Sequence, residues 1–144
     1  MTLALHQAQI AFDAGEVPVG AIVECDGEIV SAAHNLVEAL HDPSAHAELL
    51  AIKQATQRLG RKWLTDCRLF VTLEPCPMCA GAISHARLNT LVYGAYDPKS
   101  GGVDHGPLVL DHSQAHHKPE IISGILEEPC ADLLKDFFST KRKT

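Results

Sequence analysis

Two short stretches of the chain hold residues that could do chemistry together. The first is Pro75-Cys76-Pro77-Met78-Cys79, two thiols three positions apart with a proline between them. Proline suits the first helical position, where its missing N–H has no partner to lose, so the spacing predicts a helix opening at Cys76. Cysteines at i and i+3 then share one face of the first turn, and the positive end of the helix dipole favours thiolates there. Such a pair can hold a metal ion or exchange disulfides. The second role would want a thioredoxin-like placement after the first strand, which this sequence does not offer.

The second stretch is Asp42-Pro43-Ser44-Ala45-His46-Ala47-Glu48. Ser44 or Asp42 is expected to cap the helix that follows. Residues two apart on a helix point about 200° from each other, so His46 and Glu48 cannot both ligate one ion beside the helix wall. They can share a site lying off its first turn, with His46 a ligand and Glu48 facing the space next to the ion. His46, Cys76 and Cys79 together make three ligands, and imidazole with soft thiolates selects zinc. A structural zinc site wants four protein ligands. Three leave a position for water, whose pKa zinc brings down to about 7. Glu48, uncoordinated, would accept that water's proton, and the backbone N–H groups near Cys76 and Ala47 could hold the reacting groups.

Each residue alone has an ordinary reading. The chain has nine histidines, and Glu48 could be a solvated helix residue. What argues for chemistry is the joint pattern of His-x-Glu and Pro-Cys-x-x-Cys, each opening a helix. The other cysteines read differently. Cys25 and Cys67 lie beside strand segments and Cys130 on an apolar helical stripe, so all three are expected as small packing residues. His105, His112, His116 and His117 crowd one irregular stretch, but their spacing matches no ligand pattern, and they read as loop histidines.

The elements that must position these residues follow from periodicity. Leu3, Ile10, Ala11 and Ala14 recur at helical spacing until Gly15. Val17 to Glu24 reads as a strand, Asp26-Gly27 as a hairpin turn and Glu28 to Ala33 as the returning strand. Ala45 to Leu59 reads as a helix closed by Gly60. Leu69 to Leu73 is a nearly continuous apolar run, as in a strand covered on both faces. Pro77 to His85 reads as a helix and Thr90 to Gly94 as another buried strand. Residues 97–119 look irregular, with some helical content, and Glu120 to Ser123 suits an edge strand. Cys130, Leu133, Leu134, Phe137 and Phe138 form one apolar stripe of a last helix. Helices alternating with strands imply an α/β layer fold with a mixed central sheet.

Composition sets the bounds. The chain has 144 residues, 46% hydrophobic and 21% charged, which suits one globular domain spanning 1–144. No apolar run approaches the ~18 residues of a membrane span. No basic stretch precedes an apolar one at the N-terminus. Five cysteines is an odd count, which without an export signal favours metal binding or redox chemistry over a disulfide framework. These readings place the protein in the cytoplasm. The charge of −6, from 18 acids and 12 bases, argues against a sequence-indifferent nucleic-acid binder with a broad basic face. It leaves room for a local patch such as Lys141-Arg142-Lys143, which reads equally well as a solvated helix end.

With these motifs the chain resembles the cytidine/deoxycytidylate deaminase superfamily, and within it the bacterial tRNA-specific adenosine deaminase family. The His-x-Glu and Pro-Cys-x-x-Cys pair is that superfamily's own signature. The resemblance extends to Glu16-Val17-Pro18-Val19-Gly20-Ala21, His34-Asn35, Thr72 to Ala82, Val92-Tyr93-Gly94-Ala95, Asp97-Pro98-Lys99 and Phe137-Phe138. It implies a three-layer α/β/α cytidine-deaminase-like fold around a mixed five-stranded sheet, one Zn2+ per subunit, and a homodimer. It implies conversion of adenosine to inosine at the wobble position of a tRNA anticodon, an arginine tRNA being the expected one. By matching position, Asn35 would hydrogen-bond the flipped base and Val19 would line its pocket. Asp97 and Lys99 would touch the RNA backbone, and the helix end with Phe138 and Arg142 would hold a neighbouring nucleotide. The chain departs from many members between Gly101 and His117, where it reads Gly101-Gly102-Val103-Asp104-His105-Gly106-Pro107-Leu108.

Three rivals remain at this point. A deaminase of a free base or nucleotide, such as cytosine, guanine or dCMP, would use the same pocket chemistry, and the acidic charge favours it mildly. A non-catalytic zinc or RNA-binding module would need a fourth protein ligand, and no further Cys or His stands at a helpful spacing. An accessory subunit needing a partner chain could dispense with Glu48, which this chain keeps.

Overall fold

The computed structural model describes residues 1–142, with the side chain of Arg142 excepted. The chain opens with helix α1 (Thr2–Asp13), followed by strands β1 (Gly20–Cys25) and β2 (Glu28–His34). A short helix α2 (Val37–Leu40) precedes α3 (Ala47–Leu59), β3 (Cys67–Leu73), α4 (Pro77–Ala86) and β4 (Thr90–Ala95). A single 3-10 turn (Val109–Asp111), β5 (Glu120–Ile122) and α5 (Glu127–Arg142) complete it. The strands form one mixed five-stranded sheet in the order β2-β1-β3-β4-β5. β1 is antiparallel to both β2 and β3, while β3, β4 and β5 run parallel.

The hairpin joining β1 and β2 turns at Asp26 and Gly27, with φ of 51° and 84°. Two left-handed residues are what a tight hairpin turn requires, and Asp-Gly supplies them cheaply. β4 is buried along its whole length, because helices cover both faces of the sheet. α1 and α5 lie on one face and meet at Phe12 and Phe137, whose ring centroids are 5.7 Å apart. α3 and α4 lie on the other. α1 approaches the sheet on alanines, with Ala4, Ala8 and Ala11 fully buried. This is the expected three-layer α/β/α arrangement. The edge strand, the 3-10 turn within the irregular stretch and the apolar stripe of α5 all fall where the sequence placed them. α2 was not anticipated; four residues are too few to show a period.

Cys25 and Cys67 depart from expectation. They are not reduced packing residues but are joined by a disulfide. In the antiparallel register of β1 and β3 they stand directly opposite each other, Cα to Cα 4.4 Å, within the reach of a disulfide. The Arg61 guanidinium donates to Asp66 at 2.6 Å and lies 3.8 and 3.9 Å from the two sulfurs. A separation of 42 residues hides such a pairing from any reading by spacing. Cys130 is buried and free, as expected.

Candidate active site

The site forms at the carboxyl ends of the parallel strands β3 and β4, where α/β sheets collect ligands. β3 ends at Leu73, and three residues later Cys76 is the N-cap of α4, with Pro77 in the first turn. Across the gap, His46 is the N-cap of α3, and Glu48 sits one residue past Ala47 in the first turn. Two helix N-termini therefore converge, and the residues at their caps meet. His46 Nδ1 lies 3.6 Å from Cys76 Sγ and 3.5 Å from Cys79 Sγ. A tetrahedral ion with Zn–N and Zn–S bonds of normal length puts nitrogen and sulfur about 3.6 Å apart. The three side chains are thus spaced as ligands of one ion. Among the described residues the other group with possible ligand spacing is Cys25, Asp66 and Cys67, whose sulfurs are spent on the disulfide.

The charge state of the trio also suits a cation. The Cys79 S–H donates to Cys76, which with the His46 ring beside it holds the Cys76 thiol down at about 4. The same hydrogen bond pushes the Cys79 thiol far above its ordinary range, with burial adding to it. His46 is raised chiefly by its contact with Cys76. The pair shares one proton where a divalent ion would let both sulfurs ionise.

Three buried glutamates line the same cavity, and their partners divide them. Glu16 accepts the N–H groups of Glu38 and Ala39 at 2.9 and 2.8 Å and so fixes α2. Glu74, against the cost of burial, is held below the usual carboxylate range by hydrogen bonds from Asp97 N–H, the His105 ring, and the Asp104 and Val103 N–H groups. Glu48 has no such cradle. It is 4% exposed, and burial pushes it up to about 7, against its own N–H, the His46 ring and a contact with Cys79. An acid that exchanges its proton near neutrality is what proton transfer needs. The sequence marked only Glu48 of the three. The available signal for the others was a charged residue closing an apolar strand, at Glu74, and one preceding Val17-Pro18, at Glu16.

The cavity has a volume of about 950 Å³, at the upper end of the ~300–1,000 Å³ usual for small-molecule sites. Val19, Asn35, Leu73, His46, Glu48 and Cys76 line it together with the half-buried Asp97 and the exposed Ser100, Phe138 and Lys141. Phe138 is 44% exposed although it continues the apolar stripe of α5, because the stripe turns from the core into this opening. Lys99 is exposed on the same loop but outside the cavity wall. The side chain of Arg142 lies outside the described residues.

Two expectations about the first turn of α3 need correction. Neither Ser44 nor Asp42 caps it; Asp42 Oδ1 instead accepts the Ser44 N–H and hydroxyl at 2.9 and 2.7 Å. The cap comes from across the chain, where Asn35 Oδ1 accepts the Ala47 N–H at 2.8 Å. The Ala47 N–H is therefore paired within the protein, and Ala47 is fully buried. Because only the oxygen of the Asn35 amide can accept the Ala47 N–H, the Asn35 NH2 is the end left for the cavity. Asn35→Ala is expected to destabilise the fold by about 1–3 kcal/mol, since it strands a buried donor. Asn35→Asp keeps the acceptor and should recover most of that stability in urea denaturation.

The histidines of the irregular stretch form no ligand cluster. His105 Nδ1 is 2.7 Å from Glu74, His117 Nε2 is 2.9 Å from the Leu88 carbonyl, and the His85 and His116 rings stack at 4.4 Å.

Comparison with known proteins agrees with this geometry. Residues 1–142 match the sequence model of the MafB19-like deaminases. A tRNA-specific adenosine deaminase of Aquifex aeolicus is 47% identical, over 99% of this chain and 93% of its own. One from Agrobacterium fabrum is 44% identical over the same shares. A solved structure from work on A-to-I editing by tRNA:A34 deaminases superposes with a TM-score of 0.91 at 43% identity, covering 93% of this chain and 97% of that one.

Proposed function

The chain belongs to the tRNA-specific adenosine deaminase family, and from that premise we propose that its cavity receives the wobble adenosine of a tRNA anticodon and hydrolyses it to inosine and ammonia. The observation that carries the reading is the proximity of Glu48 to the His46, Cys76 and Cys79 trio, with Glu48, His46 and Cys76 all lining a cavity larger than one base requires.

His46 Nδ1 and the sulfurs of Cys76 and Cys79 would hold the ion, and imidazole with two thiolates selects zinc. Zinc, when bound, supplies Lewis-acid activation of a water molecule. Glu48 takes a proton from the attacking water and delivers it to a ring nitrogen of the base. With the water oxygen now bonded to the carbon that bears the amine, Glu48 relays the remaining proton of that hydroxyl to the amine, the C–N bond breaks, ammonia leaves and the oxygen stays as the carbonyl of inosine. Asn35, its oxygen tied to the Ala47 N–H, points its NH2 at a ring acceptor and orients the base. Val19 and Leu73 exclude water from the base's faces. Asp97, Phe138 and Lys141, farther out, would meet the sugar and the flanking nucleotides, with Lys99 and Arg142 on the surface beyond. An anticodon base is already unpaired, so its extrusion costs little.

Among the described residues no helix is long and apolar enough to cross a membrane. A tRNA substrate places the protein in the cytoplasm, although a Cys25–Cys67 disulfide is uncommon in a reducing compartment. A homodimer and a single domain over 1–144 complete the proposal.

The test is ammonia release and inosine formation from an adenosine-containing anticodon stem-loop, set against free adenosine, cytosine and guanine. The stem-loop is expected to be converted at least about a hundredfold more efficiently in kcat/KM, because remote contacts are spent on catalysis. Equal or better turnover of a free base would overturn the tRNA assignment.

A further inference from the structure

One loop of the cavity wall is clamped at both ends by one side chain. Glu74 follows the last residue of β3 and precedes the Pro75-Cys76 turn, and its side chain is fully buried. Oε1 accepts the Asp97 N–H at 3.0 Å and faces His105 Nδ1 at 2.7 Å. Oε2 accepts the N–H groups of Val103, Asp104 and His105 at 3.2, 2.9 and 3.1 Å. Five donors on two oxygens saturate a carboxylate. All five come from the segment that leaves β4 and folds back on itself, so one carboxylate closes both ends of the loop.

The loop is built around this contact. A Cβ on Gly101 would stand 2.4 Å from Glu74 Oε2 and 2.5 Å from the Asp97 carbonyl. On Gly102 it would stand 2.7 Å from the Pro77 nitrogen. The Gly102 N–H donates to the Pro75 carbonyl at 2.8 Å, and the Tyr93 hydroxyl donates to the Asp104 carboxylate. The loop backbone therefore lies directly on the turn that presents Cys76. Its cavity-facing residues, Asp97 and Ser100, are themselves linked, the Ser100 N–H donating to Asp97 Oδ1 at 3.0 Å.

We propose that Glu74 is a positioning residue for substrate binding: it holds the Asp97–His105 loop so that Asp97 and Ser100 form the outer wall met by the nucleotides flanking the target base. The inference rests on the assignment of this cavity as the anticodon site. Burying an anion is costly unless donors surround it, and here the donors gain a fixed geometry in return. His46, Cys79 and Glu48 stand on the caps and first turns of α3 and α4, which keep their own hydrogen bonds without Glu74. The effect of losing Glu74 thus falls on binding and spares the chemical step.

Glu74→Gln presents an NH2 to backbone N–H groups and must give up part of the cradle. Its KM for the anticodon stem-loop is expected to rise about tenfold or more, the equivalent of one good hydrogen bond, with kcat within about threefold of wild type and zinc still stoichiometric. Amide exchange at Asp97 and Val103 to His105 should speed up at the same time. Gly101→Ala crowds Oε2 from the loop side and should give the same KM-selective defect, which keeps the test available if Glu74→Gln folds poorly. Unchanged KM in both variants, or a fall in kcat at constant KM, would overturn the positioning role. If wild-type protein leaves the stem-loop unconverted, the anticodon reading itself has failed, and that result is distinct from either.

Discussion

Glu48→Ala should bind zinc stoichiometrically, keep its melting temperature within a few degrees of wild type, and lose about 10²–10⁴ in kcat, the usual worth of a positioned acid–base group. The reason lies in how the cavity treats its three buried acids. Glu16 and Glu74 spend their oxygens on backbone N–H groups, which makes both of them structural clamps. Glu48 is left to burial, which raises it to about 7. Removing a group that burial destabilises costs the fold little, and Ala47 stays capped by Asn35 regardless. Glu48→Gln should fail equally, since an amide keeps the shape but cannot carry the proton. Single-turnover inosine formation on the stem-loop, with zinc measured on the same sample, reads both properties. Wild-type turnover in either variant would take Glu48 out of the mechanism.

Cys79→Ala is the larger lesion, because it removes metal and stability together. Cys79 is fully buried in the first turn of α4, with Cys76 and Glu48 as its neighbours. Without its sulfur only His46 and Cys76 remain, too few for a zinc site. Metal binding energy is in part folding energy, so the variant should purify without stoichiometric zinc, melt well below wild type and show no deamination. A strong chelator should move wild-type protein toward the same melting temperature, by the linkage that makes a native-state ligand stabilising. Cys130→Ala supplies the control. Cys130 is equally buried, but in α5 beside Gly94, so its loss should leave zinc content and kcat untouched. Stoichiometric zinc in Cys79→Ala would refute the ligand assignment.

Much of this was written in local pattern. Proline after Cys76 announced the helix start that orients two thiols, and the two-residue spacing of His46 and Glu48 already required that they divide their roles. Asp26-Gly27 named its turn, and the apolar runs of β3 and β4 named strands covered on both faces. These features depend on neighbours three or four positions away, the distance over which sequence reads directly as geometry.

Other features depended on contacts that no spacing encodes. Asn35 caps a helix twelve residues on, displacing the nearer Asp42 and Ser44. Cys25 meets Cys67 only because β1 and β3 pair in that register. Glu74 reads in sequence as one polar residue before a proline. Only the return of the loop after β4 brings five donors to it.

The amino-acid order by itself therefore marked the imidazole and two thiols that meet at the candidate metal site, the acid near them and the layered α/β class, since each is carried by residue chemistry or short-range period. Tertiary structure decided which backbone donors were already taken, which acids were clamps and which one was left to burial without a cradle of backbone donors. That division follows from burial and hydrogen bonding, and both are properties of neighbours brought together by folding rather than by the chain.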